Sequence, residues 1–220
     1  VYDPFYIEFP KAFDQPLMEL LRGRDRYAWL EFERNEITEA QFFERFFRET
    51  ASTDGPKMIS VLREHYRYLD GIETLLQDLQ GRARLATLSN YPVWFEQLNQ
   101  KLQLSTLIED LFVSYQLGVR KPDPQAYLLP AQQLGVSPEN CIFVDDRQEN
   151  CQAAIAVGMQ AIHFQNAIQL RQELQQFGDG EGDSIESFQP LFRYLIGMAL
   201  CLLVARRVER EHSVINRDLN

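Results

Sequence analysis

From residue 11 to residue 80 the apolar positions recur every three or four residues with no sustained alternation, which predicts a run of amphipathic helices. Within it, Thr38 and Gln41 have the spacing of a capping box that opens a helix, and Phe42, Phe43, Phe46 and Phe47 form its apolar face. Residues 52–57 are expected to turn. A helix follows over 58–68, and after a break at Asp70 and Gly71 another runs over 72–80.

After Gly81 short apolar runs alternate with helical ones. Strands are predicted over 85–88, 111–114, 141–144 and 160–164, and helices over 92–101, 124–134 and 149–157. Such alternation builds βαβ units and a parallel sheet covered by helices. The predicted fold class is therefore α/β, with a parallel-sheet core over residues 81–177, a helical region over 11–80, and residues 1–10 leading in. Ligands of open parallel sheets bind beyond the carboxyl ends of the strands, so the residues after each strand are the candidates for chemistry. Residues 178–190 form a linker rich in Gly and acid, and 191–220 an appended tail. In that tail residues 195–205 are continuously apolar between Arg193 and the pair Arg206 and Arg207. As a helix this run rises about 16 Å, against a hydrocarbon core of about 30 Å. A short apolar helix docked on protein is expected, with membrane contact of the tail as the alternative.

Composition narrows the class. A chain of 220 residues with 45% hydrophobic and 25% charged positions suits one globular domain, or a domain with an insert. The net charge of −10 argues against a nucleic-acid partner, which demands a basic surface. An anionic small molecule stays open, because a metal ion can supply positive charge locally. Cys141, Cys151 and Cys201 are odd in number and widely spaced, which suggests neither a disulfide framework nor a zinc site. The histidines His65, His163 and His212 have no metal-ligand spacing. The opening residues lack the basic and apolar regions of a secretory signal, and the chain opens on Val1, which suggests a piece of a longer product.

Three successive strand ends carry polar groups. The first is Ser89-Asn90 with Pro92 beyond; it suits a plain helix cap, or a hydroxyl and backbone N–H groups around a phosphate oxygen. The second leads to Lys121-Pro122-Asp123-Pro124; it suits a turn, or an ammonium ion that neutralises a phosphoryl group. The third ends in Asp145-Asp146 with Asn150 beyond. Adjacent carboxylates after a buried strand repel each other, so stability explains them poorly, whereas Mg²⁺ takes carboxylates together with water and phosphate. A hydroxyl, an ammonium ion and a carboxylate pair together are the groups needed to bind and transfer a phosphoryl group.

With these motifs in place, residues 1–177 resemble the haloacid dehalogenase-like (HAD) hydrolase superfamily. Its second motif matches residues 85–90, its third Lys121-Pro122, and its fourth Val144-Asp145-Asp146 with Asn150; Ala153, Ala154 and Gly158 also fit. The resemblance implies a Rossmann-like core with an inserted α-helical cap, Mg²⁺, and an aspartyl-phosphate intermediate. It implies catalytic and substrate-binding roles for Ser89 and Lys121, substrate binding by Asn90, metal binding by Asp146 with help from Asp145, and support from Asn150. Residues 1–6 and the run Tyr91-Pro92-Val93-Trp94 look similar to a plant-type branch that includes flavin mononucleotide phosphatases. Trp29, Tyr66 and Tyr68 could stack on a flavin, although aromatics at helical spacing are more often core. The cytoplasm or the plastid stroma is the expected compartment.

The family's first motif, an Asp-x-Asp that ends the first strand and supplies the nucleophile, has no match; Asp3, Asp179, Glu181 and Asp183 do not follow an apolar strand. The first central strand is accordingly expected to be missing, leaving the 85–88 and 141–144 strands without their shared neighbour and this chain by itself inactive. The expected function of the intact protein is Mg²⁺-dependent hydrolysis of a small phosphate monoester, flavin mononucleotide being one candidate. The alternatives are a metal-free 2-haloacid dehalogenase and a noncatalytic binding protein tethered through the tail.

Overall fold

The computed structural model describes residues 1–2, 4–5, 7–47, 54–178 and 194–198. Six helices come first: α1 (Glu8–Ala12), α2 (Leu17–Leu20), α3 (Arg26–Glu33), α4 (Glu39–Phe46), α5 (Gly55–His65) and α6 (Ile72–Leu79). Strands and helices then alternate through β1 (Arg84–Ser89), α7 (Phe95–Leu102), α8 (Leu104–Leu107), β2 (Asp110–Val113), α9 (Ser114–Leu117), α10 (Gln125–Leu134), β3 (Cys141–Asp145), α11 (Gln148–Ala156), β4 (Gln160–His163), α12 (Ala167–Gly178) and β5 (Tyr194–Met198).

Local chemistry explains several boundaries. Helix α4 opens on the predicted capping box: Gln41 N–H donates to the Thr38 hydroxyl at 3.2 Å, and Thr38 N–H to Gln41 Oε1 at 2.8 Å. The turn expected over 52–57 is corrected from Gly55 onward, because the Asp54 carboxylate accepts from Lys57 N–H at 3.1 Å and starts α5 there; residues 52 and 53 lie outside the described residues. At Pro92 the expected helix starts later, at Phe95 after Trp94, so the Ser89 hydroxyl does not cap it.

All five strands are parallel, in the order β2-β1-β5-β3-β4. Alternate residues of β1 and β3 face opposite layers, as the two-residue period of a strand requires. Leu85, Ile142 and Val144 pack with Leu75 and Leu76 of α6 and Leu170 and Leu174 of α12. Ala86, Leu88, Cys141 and Phe143 pack with Ala126, Tyr127 and Ala131 of α10 and Ala154 of α11. Helices α3 and α4 close over an aromatic cluster centred on Phe42, which is fully buried against Phe32 at 4.8 Å, Phe46 at 4.8 Å and Trp94 at 5.5 Å between ring centres. Trp94 enters from the loop after β1 and donates to Glu39 Oε2 at 2.5 Å, which pins that loop to the helical layer.

The centre of the sheet overturns two expectations. Residues 195–198, the start of the apolar helix expected over 195–205, belong instead to β5; positions 199–205 lie outside the described residues. β5 also occupies the place expected to be empty: Ile196 is paired with Ala86 on one side and Phe143 on the other. A short apolar run is compatible with either helix or strand by its own pattern. Here the unmet N–H and C=O groups of two flanking strands decide, since each would cost about 1–3 kcal/mol if buried unpaired. Both ladders skip Gly197, where Ala86 and Thr87 on one side and Phe143 and Val144 on the other shift register. Among the described residues no helix is long and apolar enough to cross a membrane.

Candidate functional site

The carboxyl ends of β1 and β3 and the loop before α10 bring Ser89, Asn90, Lys121, Asp145, Asp146 and Asn150 to one edge of the sheet. Lys121 is 1% exposed and Asp145 is fully buried. The Lys121 ammonium donates to Asp145 Oδ2 at 2.7 Å and to the Leu88 carbonyl at 2.5 Å, and stands 5.3 Å from the centre of the Phe143 ring. One cation therefore spans from the end of β1 to the end of β3. Its backbone is clamped as well: Lys121 N–H donates to Asn90 Oδ1 at 2.8 Å, and Asn90 Nδ2 donates back to the Lys121 carbonyl at 2.8 Å.

Asp145 is held from its other side. Its Oδ1 accepts from the Arg147 backbone N–H at 2.9 Å and from Asn150 Nδ2 at 3.1 Å, so three donors meet one carboxylate. The amide of Asn150, at 2% exposure, is thus directed at Asp145. Asp146 follows at the rim, half-buried, with Oδ1 shielded from solvent and its carbonyl 2.7 Å from His163 Nε2. The Ser89 hydroxyl is buried and has no hydrogen-bond partner among the described residues. A buried hydroxyl without a partner is uncommon in a native fold, and a bound water or a ligand atom would satisfy it.

The donor set bears on the metal. Among the described residues no group of three His, Cys, Asp or Glu side chains stands together as a metal cage. Asp145 is filled by its three donors, while Asp146 supplies a carboxylate at the rim. That set fits a hydrated Mg²⁺, which commonly takes one or two carboxylates and draws its remaining ligands from water and substrate phosphate.

The surroundings shift two neighbours. Burial pushes the Tyr127 hydroxyl well above its usual range, with the Asp145 charge adding to it, and that hydroxyl donates to the Asn150 carbonyl at 3.0 Å. Burial likewise pushes the Cys151 thiol up to about 11, again with Asp145 adding, which makes it inert packing. Three contributors escaped sequence reasoning. The Leu88 carbonyl and Arg147 N–H are backbone groups, which no residue type reveals. His163 is separated in sequence from Asp146 and meets it only because β4 lies beside β3.

A family model described as haloacid dehalogenase-like hydrolase matches residues 6–158. The chain belongs to this family. A chloroplast flavin mononucleotide hydrolase of Arabidopsis thaliana is 38% identical to this HAD-like hydrolase over 179 residues, covering 81% of the chain and 73% of that protein. A sesquiterpene phosphatase of Aspergillus oryzae is 35% identical over 105 residues, covering 47% of the chain and 54% of that protein. Among solved structures, a HAD family enzyme from Bacteroides thetaiotaomicron in a magnesium complex superposes with a TM-score of 0.60 at 19% identity, over 74% of this chain and 84% of that one. A HAD-like hydrolase from Porphyromonas gingivalis gives 0.60 at 19% identity, over 77% and 89%. These structural likenesses establish the fold of the HAD-like hydrolase, a Rossmann-like parallel sheet with added helices.

Proposed function

We propose that this HAD-like hydrolase is a phosphatase acting on a small phosphate monoester. The observation that carries the reading is the pairing of a buried, unpartnered Ser89 hydroxyl with a buried ammonium ion, Lys121, bonded to the carbonyl of the preceding residue. The hydroxyl donates to a phosphoryl oxygen, and the ammonium ion neutralises charge that develops there in the transition state. Asn90 holds the Lys121 backbone, and Asp145 with Asn150 holds the Lys121 side chain, so the cation is preorganised before substrate arrives. Asp146 would hold Mg²⁺, which when bound supplies further positive charge to the phosphate. β5, with the sequence Tyr-Leu-Ile-Gly-Met, brings no carboxylate to the sheet, so the aspartyl nucleophile that the family implies is assigned to no described residue.

The named relatives are hydrolases of phosphate esters: a flavin mononucleotide hydrolase, a sesquiterpene phosphatase, and a glyceraldehyde 3-phosphate phosphatase of Methanopyrus kandleri at 26% identity. Flavin mononucleotide is the first substrate to assay. The aromatic residues considered for a flavin are engaged elsewhere: Tyr66 is buried with its hydroxyl 2.6 Å from that of Tyr91, Tyr68 donates its hydroxyl to the Leu102 carbonyl at 3.0 Å, and Trp29 packs among Phe42, Phe46 and Trp94.

The test is binding of inorganic phosphate by calorimetry with and without Mg²⁺, beside hydrolysis of an aryl phosphate and of flavin mononucleotide. Tighter phosphate binding with Mg²⁺, weakened about tenfold or more in Ser89→Ala, is the expected result. Absence of phosphate binding, or release of halide from a 2-haloacid without metal, overturns it. Binding without hydrolysis would mean the chain carries the phosphate-holding part of the site and lacks its nucleophile.

A further inference from the structure

Glu33, at the end of α3 in the helical layer, is 4% exposed and has no place in the motifs above. A carboxylate this deep needs partners, and it has them from two directions. Arg120 Nε donates to Glu33 Oε2 at 2.7 Å, and Trp29 Nε1 donates to Glu33 Oε1 at 2.7 Å. The backbone carbonyl of Glu33 also accepts from the Ser114 hydroxyl at 2.6 Å, and that hydroxyl accepts from Tyr91 N–H at 3.0 Å. Arg120 directly precedes Lys121, and Tyr91 directly follows Asn90, whose side chain clamps the Lys121 backbone. One residue of the helical layer therefore grips both loops that present Lys121, some 87 positions away along the chain in the case of Arg120.

We propose that Glu33 is a positioning residue that sets Lys121 for phosphate, and that it couples placement of the helical layer to the phosphate site. This rests on the phosphatase reading above. Arg120 directly precedes Lys121, and its guanidinium is turned away to Glu33 of the helical layer. Committed to Glu33, it is neutralised, held on the helical layer, and keeps its backbone in register for the next residue. Released from Glu33, it no longer fixes the backbone that leads into Lys121, so the Lys121 amide and ammonium lose their set position.

The experiment uses the full chain in four forms: unchanged, Glu33→Gln, Arg120→Gln and the double variant. Two quantities are measured, hydrogen exchange at the Lys121 amide and affinity for inorganic phosphate with Mg²⁺. Each single variant is expected to speed Lys121 amide exchange and to weaken phosphate at least fivefold, and the double variant to be no worse than either single one. Glu33→Asp is expected to recover part of the affinity, which a generic packing defect would not allow. The inference falls if Lys121 amide exchange is unchanged in both single variants, or if their losses multiply in the double variant. Should Glu33→Gln fail to fold, Arg120→Gln carries the comparison, because that side chain is partly exposed and its removal leaves Glu33 with its bond from Trp29. If the unchanged chain binds no phosphate, the phosphatase reading fails by itself, and amide exchange still decides whether Glu33 positions the loop.

Discussion

Replacing Lys121 with Met keeps the length and most of the apolar stem but removes the charge between Leu88 and Asp145. The pair is 1% and 0% exposed, so water cannot take over the role of the ammonium ion. Breaking a buried ion pair from one side costs about 3–5 kcal/mol, because the remaining charge is left in a poorly polarisable interior. Two donors, Arg147 N–H and Asn150 Nδ2, still serve Oδ1 of Asp145, which places the loss near the lower end. About 3 kcal/mol is a factor of roughly 100 in the folded-to-unfolded ratio, and with a urea slope of about 2 kcal/mol/M it moves the midpoint by about 1.5 M. Urea unfolding of the unchanged chain, Lys121→Met, Asp145→Asn and the double variant reads it, with far-UV CD and Trp fluorescence checked for coincidence. The double variant should be less destabilised than the sum of the two single ones by about 2 kcal/mol. Additivity within about 0.5 kcal/mol would refute a coupled pair and with it the claim that Asp145 serves to hold Lys121.

Two more outcomes follow from the same structure. Ile196→Pro removes a ladder N–H from a strand paired on both sides, so the amides of β1 and β3 should lose hydrogen-exchange protection together while α3 and α4 keep theirs; unchanged protection in β1 and β3 would dismiss β5 as the joining strand. The Cys151 thiol is pushed up to about 11 by burial, and Cys141 also to about 11, so both should resist alkylation at pH 8 in the folded protein. In the unfolded chain these thiols ionise near pH 8.5. Folding holds them protonated, so this contribution to stability is complete below about pH 8.5 and is lost as pH rises towards 11. Alkaline unfolding curves that do not weaken over that window would count against it.

What the sequence alone determined was the alternation of elements after Gly81, the capping box at Thr38 and the position of Ser89, Lys121, Asp145 and Asp146 beyond strand ends. Those follow from periodicity and from residue types whose chemistry is restricted, so they are legible without neighbours. The roles within the site were not. Asp145 and Asp146 are adjacent in sequence and equal in type, yet three donors converge on the first while the second stands at the rim. That division comes from strand pleat and from the loop that delivers Lys121. Glu33 carried no signal at all, since Arg120, which ties it to the site, lies far along the chain. The apolar tail shows the same limit from the side of folding: residues 194–198 have no preference that separates helix from strand, and two apolar edges with unmet backbone groups made them the central strand. Local pattern selects among conformations a segment can adopt by itself; which one is kept depends on hydrogen bonds and burial that only distant segments supply.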